Sequence, residues 1–218
     1  MLKYPCLVLD HDDTVVQSEA TVNYPCFCDT LAAIRPGTKI TLEAYAQGCS
    51  DLGFDQMCQL WYRFSEQELA EEYQFWKQYS KTHIPAPVPG IREIIHTQKV
   101  SGGTVIVVSH SKKETIIRDY RTHFGIEPDD IYDCELPEKI RKPAPYPIFD
   151  IMKKRGFAPQ DLLVVDDMKP GYDMAKAAGV EIAFAGWARK SFPGIYKEMK
   201  TLCDFTFDRT EELSAFLF

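Results

Sequence analysis

The chain has 218 residues, 45% hydrophobic and 26% charged, proportions that exclude wholesale disorder and suit one core domain with a smaller insertion. Its 32 acidic residues outnumber 25 basic ones, for a net charge of −7, so the surface repels nucleic acid and anionic lipid. No apolar run approaches the roughly 20 residues that span a bilayer, so no membrane partner is expected.

The first apolar run, CLVLD (6–10), meets acid at Asp10 and reads as a buried strand rather than a secretion signal. From 18 to 84 the pattern is helical throughout, with a turn at RPGTK (35–39) and a stiff, proline-rich return at IPAPVPG (84–90). Beyond it, helical and strand patterns alternate. Helices are expected at 91–99, 113–124, 146–156 and 170–179, with Gly156 and Gly179 as stops. Strands are expected at 104–109, 162–167, 181–186 and 204–207. Near-continuous apolar strands between helices imply an α/β fold, a doubly wound parallel sheet with a Rossmann-like core and an inserted all-helical cap. The expected core is 1–17 with 85–218, and the expected cap is 18–84. In open α/β folds ligands bind at the carboxyl ends of the strands, where such a cap would sit. The tail FTFDRTEELSAFLF is apolar enough for either a core-docking helix or a dimer contact, so monomer and homodimer both stand.

The seven cysteines are odd in number and form no CxxC pair, which suits reduced thiols and a cytoplasmic location. Cys26 and Cys28, two apart on a helix, point to different sides and read as small half-buried residues rather than a metal pair.

The first strand ends D-H-D-D-T. Alternation puts Asp10 and Asp12 on one side, where two buried carboxylates are costly unless a cation or shared proton relieves them. The ordinary alternative is a pair of turn acids. Asp166 and Asp167 end another strand, and in a parallel sheet the two acid clusters can meet at one edge. Such a set of hard oxygen ligands suits Mg²⁺. Ser109 closes a third strand, ahead of an amide-rich turn through His110 that suits phosphate oxygens. Lys142 precedes prolines that hold it in a rigid turn before a helix.

In order and spacing these segments resemble the haloacid dehalogenase-like superfamily, over most of the chain from Asp10 to about Trp187. Asp10-x-Asp12-x-Thr14 is similar to its first motif, Ser109 to its second, Lys142 in KPAP to its third, and Asp166-Asp167 with Gly171 to its fourth. The inserted helices resemble those of the phosphoglycolate phosphatase and β-phosphoglucomutase branch. The resemblance implies a Mg²⁺-dependent phosphatase acting on a small phosphorylated metabolite through an aspartyl-phosphate. Asp10 would be the nucleophile and Asp12 the proton carrier. The metal would be held by Asp10, the main-chain carbonyl of Asp12, Asp167, and Asp166 directly or through water. Ser109 and Lys142, with amides near Asp12 and His110, would hold phosphate oxygens. A phosphosugar mutase uses the same core, and a non-catalytic phosphate-binding regulator is a third reading. Asp12 and the acid pair speak against a true dehalogenase, which needs neither a leaving-group acid nor Mg²⁺.

Two positions depart from the family pattern. Asp13 stands where glycine is usual, so the turn is expected to need a positive φ. His11 stands where an apolar residue is usual, and alternation points it away from Asp10 and Asp12, into packing. The cap is expected to select the substrate. Its candidates are Ser50 and Asp51 in a glycine-bounded loop at 48–53, and Arg63 after Trp61 and Tyr62. Phe75 and Trp76 are expected to pack inside it. Failing the cap, selectivity would come from the core rim near Trp187 and Arg189.

Overall fold

The computed structural model describes residues 2–218 and divides into two compact units. One comprises the chain up to Val16 together with everything from Pro87 onward, and the other comprises Gln17–Ala86.

The first unit is built on six parallel strands: β1 (Cys6–Leu9), β2 (Thr104–Val108), β3 (Asp130–Tyr132), β4 (Leu162–Asp166), β5 (Glu181–Ala185) and β6 (Phe205–Phe207). Their spatial order is β3-β2-β1-β4-β5-β6, the doubly wound order whose direction of winding reverses beside β1. Leu9 stands opposite Val107 on β2 and Val165 on β4, so the carboxyl ends of the central strands are level. Alternation along β1 divides its side chains between two apolar layers. Leu7 and Leu9 join Ile91, Ile94 and Ile95 of the helix Ile91–Val100, with Ile116 and Tyr120 of the helix Lys113–Phe124. Cys6 and Val8 join Ile148 and Ile151 of the helix Tyr146–Arg155, with Met174 and Ala175 of the helix Lys169–Ala178. A strand buried on both faces needs no polar alternation, which is why these runs are continuously apolar.

The strands stop short of the expected ends, so Asp10, Ser109 and Asp167 lie just beyond them, in the loops. The short edge strand β3 and the helix Pro193–Leu202 were not foreseen, nor were the short 3-10 turns Pro159–Asp161 and Gly186–Ala188. The tail forms the helix Thr210–Leu217, and Leu213 and Leu217 enter the Leu7 layer, so the tail docks on its own core.

The second unit holds a π-helical turn at Glu19–Asn23 and four helices, α1 (Tyr24–Ile34), α2 (Leu42–Leu52), α3 (Phe54–Tyr62) and α4 (Glu66–Thr82). Phe27 centres its interior, with ring centroids 5.3 Å from Tyr45, 5.5 Å from Phe54, 5.9 Å from Tyr62 and 6.4 Å from Phe64. Thr41 caps α2, and Ser65 with Glu68 forms a capping box on α4. Arg35 also grips Glu68, at 2.6 and 3.0 Å. Trp76 is half-buried and donates to Asn23 Oδ1, whereas Phe75 is exposed and leans on Tyr79.

The expected loop at 48–53 does not form. Helix α2 runs on through Leu52 and breaks only at Gly53, where φ is +78°. Gly48 is a contact point rather than a breaker: a Cβ there would lie 2.5 Å from Met57 Sδ and 2.7 Å from the Trp61 ring.

The chain leaves and re-enters along a two-stranded neck. Val16 bridges Pro87, Gln17 N–H donates to Ala86 O at 2.8 Å, and Val88 N–H donates to Val15 O at 2.9 Å. Among the described residues no helix is long and apolar enough to cross a membrane, and all seven cysteines are free thiols.

Candidate active site

At the point where the winding reverses, β1 and β4 run side by side, and Asp10 N–H extends their ladder by donating to Val165 O at 2.9 Å. The residues after these strands carry the acids. One oxygen each from Asp10, Asp166 and Asp167 lies within 4.8 Å of the others, and all three residues are buried. Burial pushes the Asp10 carboxyl well above the usual carboxylate range, and the neighbouring Asp166, Asp167 and Asp12 add to the rise against Lys142. Burial likewise pushes Asp167 up to about 7, with Arg189 opposing and Asp166 and Asp13 adding.

Lys142, only 6% exposed, reaches into this group and donates to Asp10 Oδ1 at 2.6 Å and to Asp166 Oδ2 at 3.0 Å. Burial alone would lower its pKa, but the two carboxylates outweigh that and raise it, so the ammonium stays charged. The lysine precedes a cis peptide bond to Pro143, and its carbonyl bonds the His110 ring at 2.7 Å.

The chain after β1 turns back on itself, with Asp13 N–H donating to Val16 O at 2.6 Å. Asp13 takes a φ of +57°, the left-handed conformation expected of this position. Asp12 faces the end of β2, where its Oδ2 accepts from Ser111 Oγ at 2.6 Å and from Ser109 Oγ at 3.4 Å. Ser111 N–H in turn donates to Ser109 Oγ at 3.1 Å. His11 points away, as alternation requires, into a buried network. Its Nε2 lies 3.0 Å from Asp119 Oδ2, Asp119 is gripped by Arg118, and the ring stacks on Tyr120.

The helix that follows β4 fixes Asp166. Met168 N–H donates to Asp166 Oδ1 at 3.0 Å, and Gly171 packs so closely that a Cβ would meet Asp166 Oδ2 at 2.0 Å. Asp167 receives the Thr14 hydroxyl at 3.4 Å on Oδ1, and its Oδ2 pairs with Arg189 Nη2. Arg189 is the bulkiest fully buried side chain, and its Nη1 lies 3.6 Å from Asp13 Oδ2.

Of the residues singled out from sequence, Asp10, Asp12, Ser109, Lys142, Asp166 and Asp167 meet in this one unit. The carboxylates close enough to share a cation are those of Asp10, Asp166 and Asp167, while the Asp12 carboxylate is taken by the two serines. The His110 side chain is spent on the Lys142 carbonyl rather than aimed at the acids. Ser50, Asp51 and Arg63 belong to the helical unit. Ser50 is buried with no hydrogen-bond partner for its hydroxyl, and exposed Asp51 accepts from Gln47 one helical turn back. Arg63 is exposed and ends α3 at a φ of +55°, its carbonyl taken by Arg35. Sequence reasoning passed over Ser111, although its hydroxyl sits two residues beyond Ser109 in the same S-H-S run. It also left Arg189 on the rim, where the structure buries it.

The model of the haloacid dehalogenase-like hydrolase family matches residues 7–185, a span that includes Asp10, Asp12, Ser109, Lys142 and the Asp166-Asp167 pair. The chain belongs to this family. No curated protein matches it by sequence. Among solved structures, a protein of Bacteroides fragilis assigned as a haloacid dehalogenase-like hydrolase superposes with a TM-score of 0.81 at 18% identity, over 97% of this chain and 100% of that one. CbbY from Rhodobacter sphaeroides, solved with xylulose-(1,5)bisphosphate, gives 0.75 at 18% identity, over 98% and 96%. A protein of Haemophilus somnus assigned as a phosphoglycolate phosphatase gives 0.76 at 17% identity, over 99% of each. At such identities these likenesses speak for the fold of this haloacid dehalogenase-like hydrolase.

Proposed function

We propose that this hydrolase cleaves a small-molecule phosphomonoester through a phosphorylated Asp10 and depends on Mg²⁺. The observation that carries the reading is the convergence of three buried carboxylates on one point, with a charged lysine bridging two of them. Buried like charges at this spacing are costly unless cations offset them, and Lys142 with Arg189 brings two positive charges to three carboxylates, with Asp12 and Asp13 close by. The donor set is oxygen only, with no histidine or cysteine among the grouped residues, which fits Mg²⁺ rather than a softer metal. A cation bound there would screen the repulsion between an anionic nucleophile and an anionic phosphate.

The chain's own groups divide the work. Lys142 holds Asp10 by Oδ1, which leaves Oδ2 to attack phosphorus in line. The Oδ2–P bond forms as the bond to the leaving oxygen breaks, and Asp12 gives its proton to that oxygen. Asp12 then takes a proton from water as the water oxygen bonds phosphorus, the Oδ2–P bond breaks and phosphate departs. The Ser109 and Ser111 hydroxyls hold Asp12 at the end of β2, and Ser109 and Lys142 would receive the non-bridging oxygens. CbbY, which shares the fold, was solved with a sugar bisphosphate, which supports a phosphorylated small metabolite as the substrate class.

Release of inorganic phosphate from a panel of phosphorylated metabolites, with and without chelator, tests the reading. We expect release that needs Mg²⁺ and disappears in Asp10→Asn. Full turnover in excess chelator, or near-normal rates in Asp10→Asn, would refute it. Interconversion of a phosphosugar without net phosphate release would instead identify a mutase.

A further inference from the structure

The contacts of the three clustered carboxylates have a common pattern. Asp10 has Oδ1 taken by Lys142. Asp166 has Oδ2 taken by Lys142 and Oδ1 shared with the Met168 N–H, and Gly171 presses on its carboxyl group. Asp167 has Oδ2 taken by Arg189, and its Oδ1 receives only the long Thr14 contact at 3.4 Å. At least one oxygen of every carboxylate is therefore already engaged by the protein: Asp167 keeps one oxygen to give to a cation, while Asp10, whose Oδ2 attacks phosphorus, and Asp166 must share one.

That restriction matters differently to the two common hard cations. Mg²⁺ demands compact octahedral coordination and takes carboxylates through one oxygen, while Ca²⁺ takes six to eight oxygens and readily accepts a carboxylate through both. Asp10 and Asp166 owe their restriction to a lysine already credited with binding phosphate. Asp167 owes its restriction to Arg189, a side chain 2% exposed that lies on no segment assigned to the chemistry. Arginine suits the task, because its planar fork places two nitrogens at once. Nη2 holds Asp167 and Nη1 faces Asp13, the acid that stands at the left-handed turn position.

We infer that Arg189, steadied by Asp13, is a positioning residue that confines Asp167 to one available oxygen and so makes the site prefer Mg²⁺ over Ca²⁺. The inference rests on the cation-dependent reading above. Without Arg189, Asp167 has both oxygens to offer, and Ca²⁺ gains more than Mg²⁺. Losing a nearby positive charge strengthens binding of both cations, so the ratio of the two affinities, not either alone, reports the geometry.

The test is calorimetric titration of the metal-stripped full chain with Mg²⁺ and with Ca²⁺, read as the ratio of dissociation constants. Arg189→Gln should shift that ratio toward Ca²⁺ by tenfold or more. Arg189→Lys, which can still occupy Oδ2, should stay within about threefold of wild type. Asp13→Gly, which removes the second tie and suits the positive φ, should shift the ratio in the same direction as Arg189→Gln by a smaller factor. Thermal melts establish that each variant is folded, and if Arg189→Gln is not, Asp13→Gly carries the test. An unchanged ratio in the folded variants, or equal gains for both cations, would overturn the role of Arg189. Wild type that binds neither cation would instead overturn the cation-dependent reading, and with it this inference.

Discussion

At the carboxyl end of the sheet Asp10, Asp166, Asp167, Lys142 and Arg189 are buried together, whereas the interior of the helical unit is Phe27, Leu31, Tyr45, Met57, Cys58 and Phe64. The first region is held by its backbone: the parallel ladder and the Gly171 contact fix the acids, and their mutual repulsion adds strain. The second has no scaffold apart from its own side chains, and its apolar contacts are what keep four helices together. A substitution in one should therefore cost function and spare stability, and in the other the reverse.

The largest effect is expected from Asp10→Asn. Phosphate release should fall by about 10⁴-fold or more, roughly 5–6 kcal/mol of transition-state stabilisation, while the melting temperature holds or rises, because the change removes a carboxylate that burial, and then the neighbouring acids, disfavour against the pull of Lys142. A loss of stability equal to the loss of activity would break the contrast. Next comes Phe27→Ala, which empties the centre of the aromatic cluster. It should cost about 3–5 kcal/mol, read by denaturant unfolding with Trp61 and Trp76 as reporters in the same unit. A loss under 1 kcal/mol would mean that the helices are held by something other than this cluster.

Glu72 sharpens the contrast, since it is an acid buried in α4 of the helical unit. Burial, with Asp55 adding, raises its pKa from 4.5 to about 7. The folded state then binds the proton more tightly than the unfolded chain. The stabilisation is fully present below about pH 4.5 and is lost as pH rises through about 7. Glu72→Gln should flatten that loss and gain about 1–3 kcal/mol at pH 8, seen in melts across pH 4–9. An unchanged pH profile would place the proton elsewhere. The smallest effect is expected at Arg63, a non-glycine residue at φ +55°. Arg63→Gly should stabilise by up to about 1 kcal/mol through relief of the left-handed conformation, measurable as a small upward shift in melting temperature.

The same contrast explains what could be read from the sequence. Buried parallel strands are short continuous apolar runs, and β1, β2, β4 and β5 were legible for that reason, as were the acids and the serine that follow them. The edge strand β3 escaped because its three residues, Asp130–Tyr132, begin with an acid and pair on one side only, with β2. The helix Pro193–Leu202 escaped because its buried residues, Ile195 and Met199, are few and set among lysines. In the helical unit the glycines misled: Gly48 looked like a break, but its missing side chain serves a close approach by Met57 and Trp61 inside the fold. Ser111 and Arg189 were visible as residues but not as partners. A serine or an arginine declares itself only through what it touches, and Arg189 is parted from Asp167 by a helix and a strand and from Asp13 by most of the chain.

The neck where Val16 bridges Pro87 has an evolutionary consequence. Because the outgoing and returning chains are hydrogen-bonded side by side, Val88 to Val15 and Gln17 to Ala86, everything between them is topologically the tip of a hairpin. Closing a longer tip costs little, since each doubling of loop length adds only about 0.6 kcal/mol. The insert is therefore a cassette. Recombination at Val16 and Pro87 can exchange it for another helical unit, or for a tight turn, without shifting the register that holds Asp10 beside Asp166.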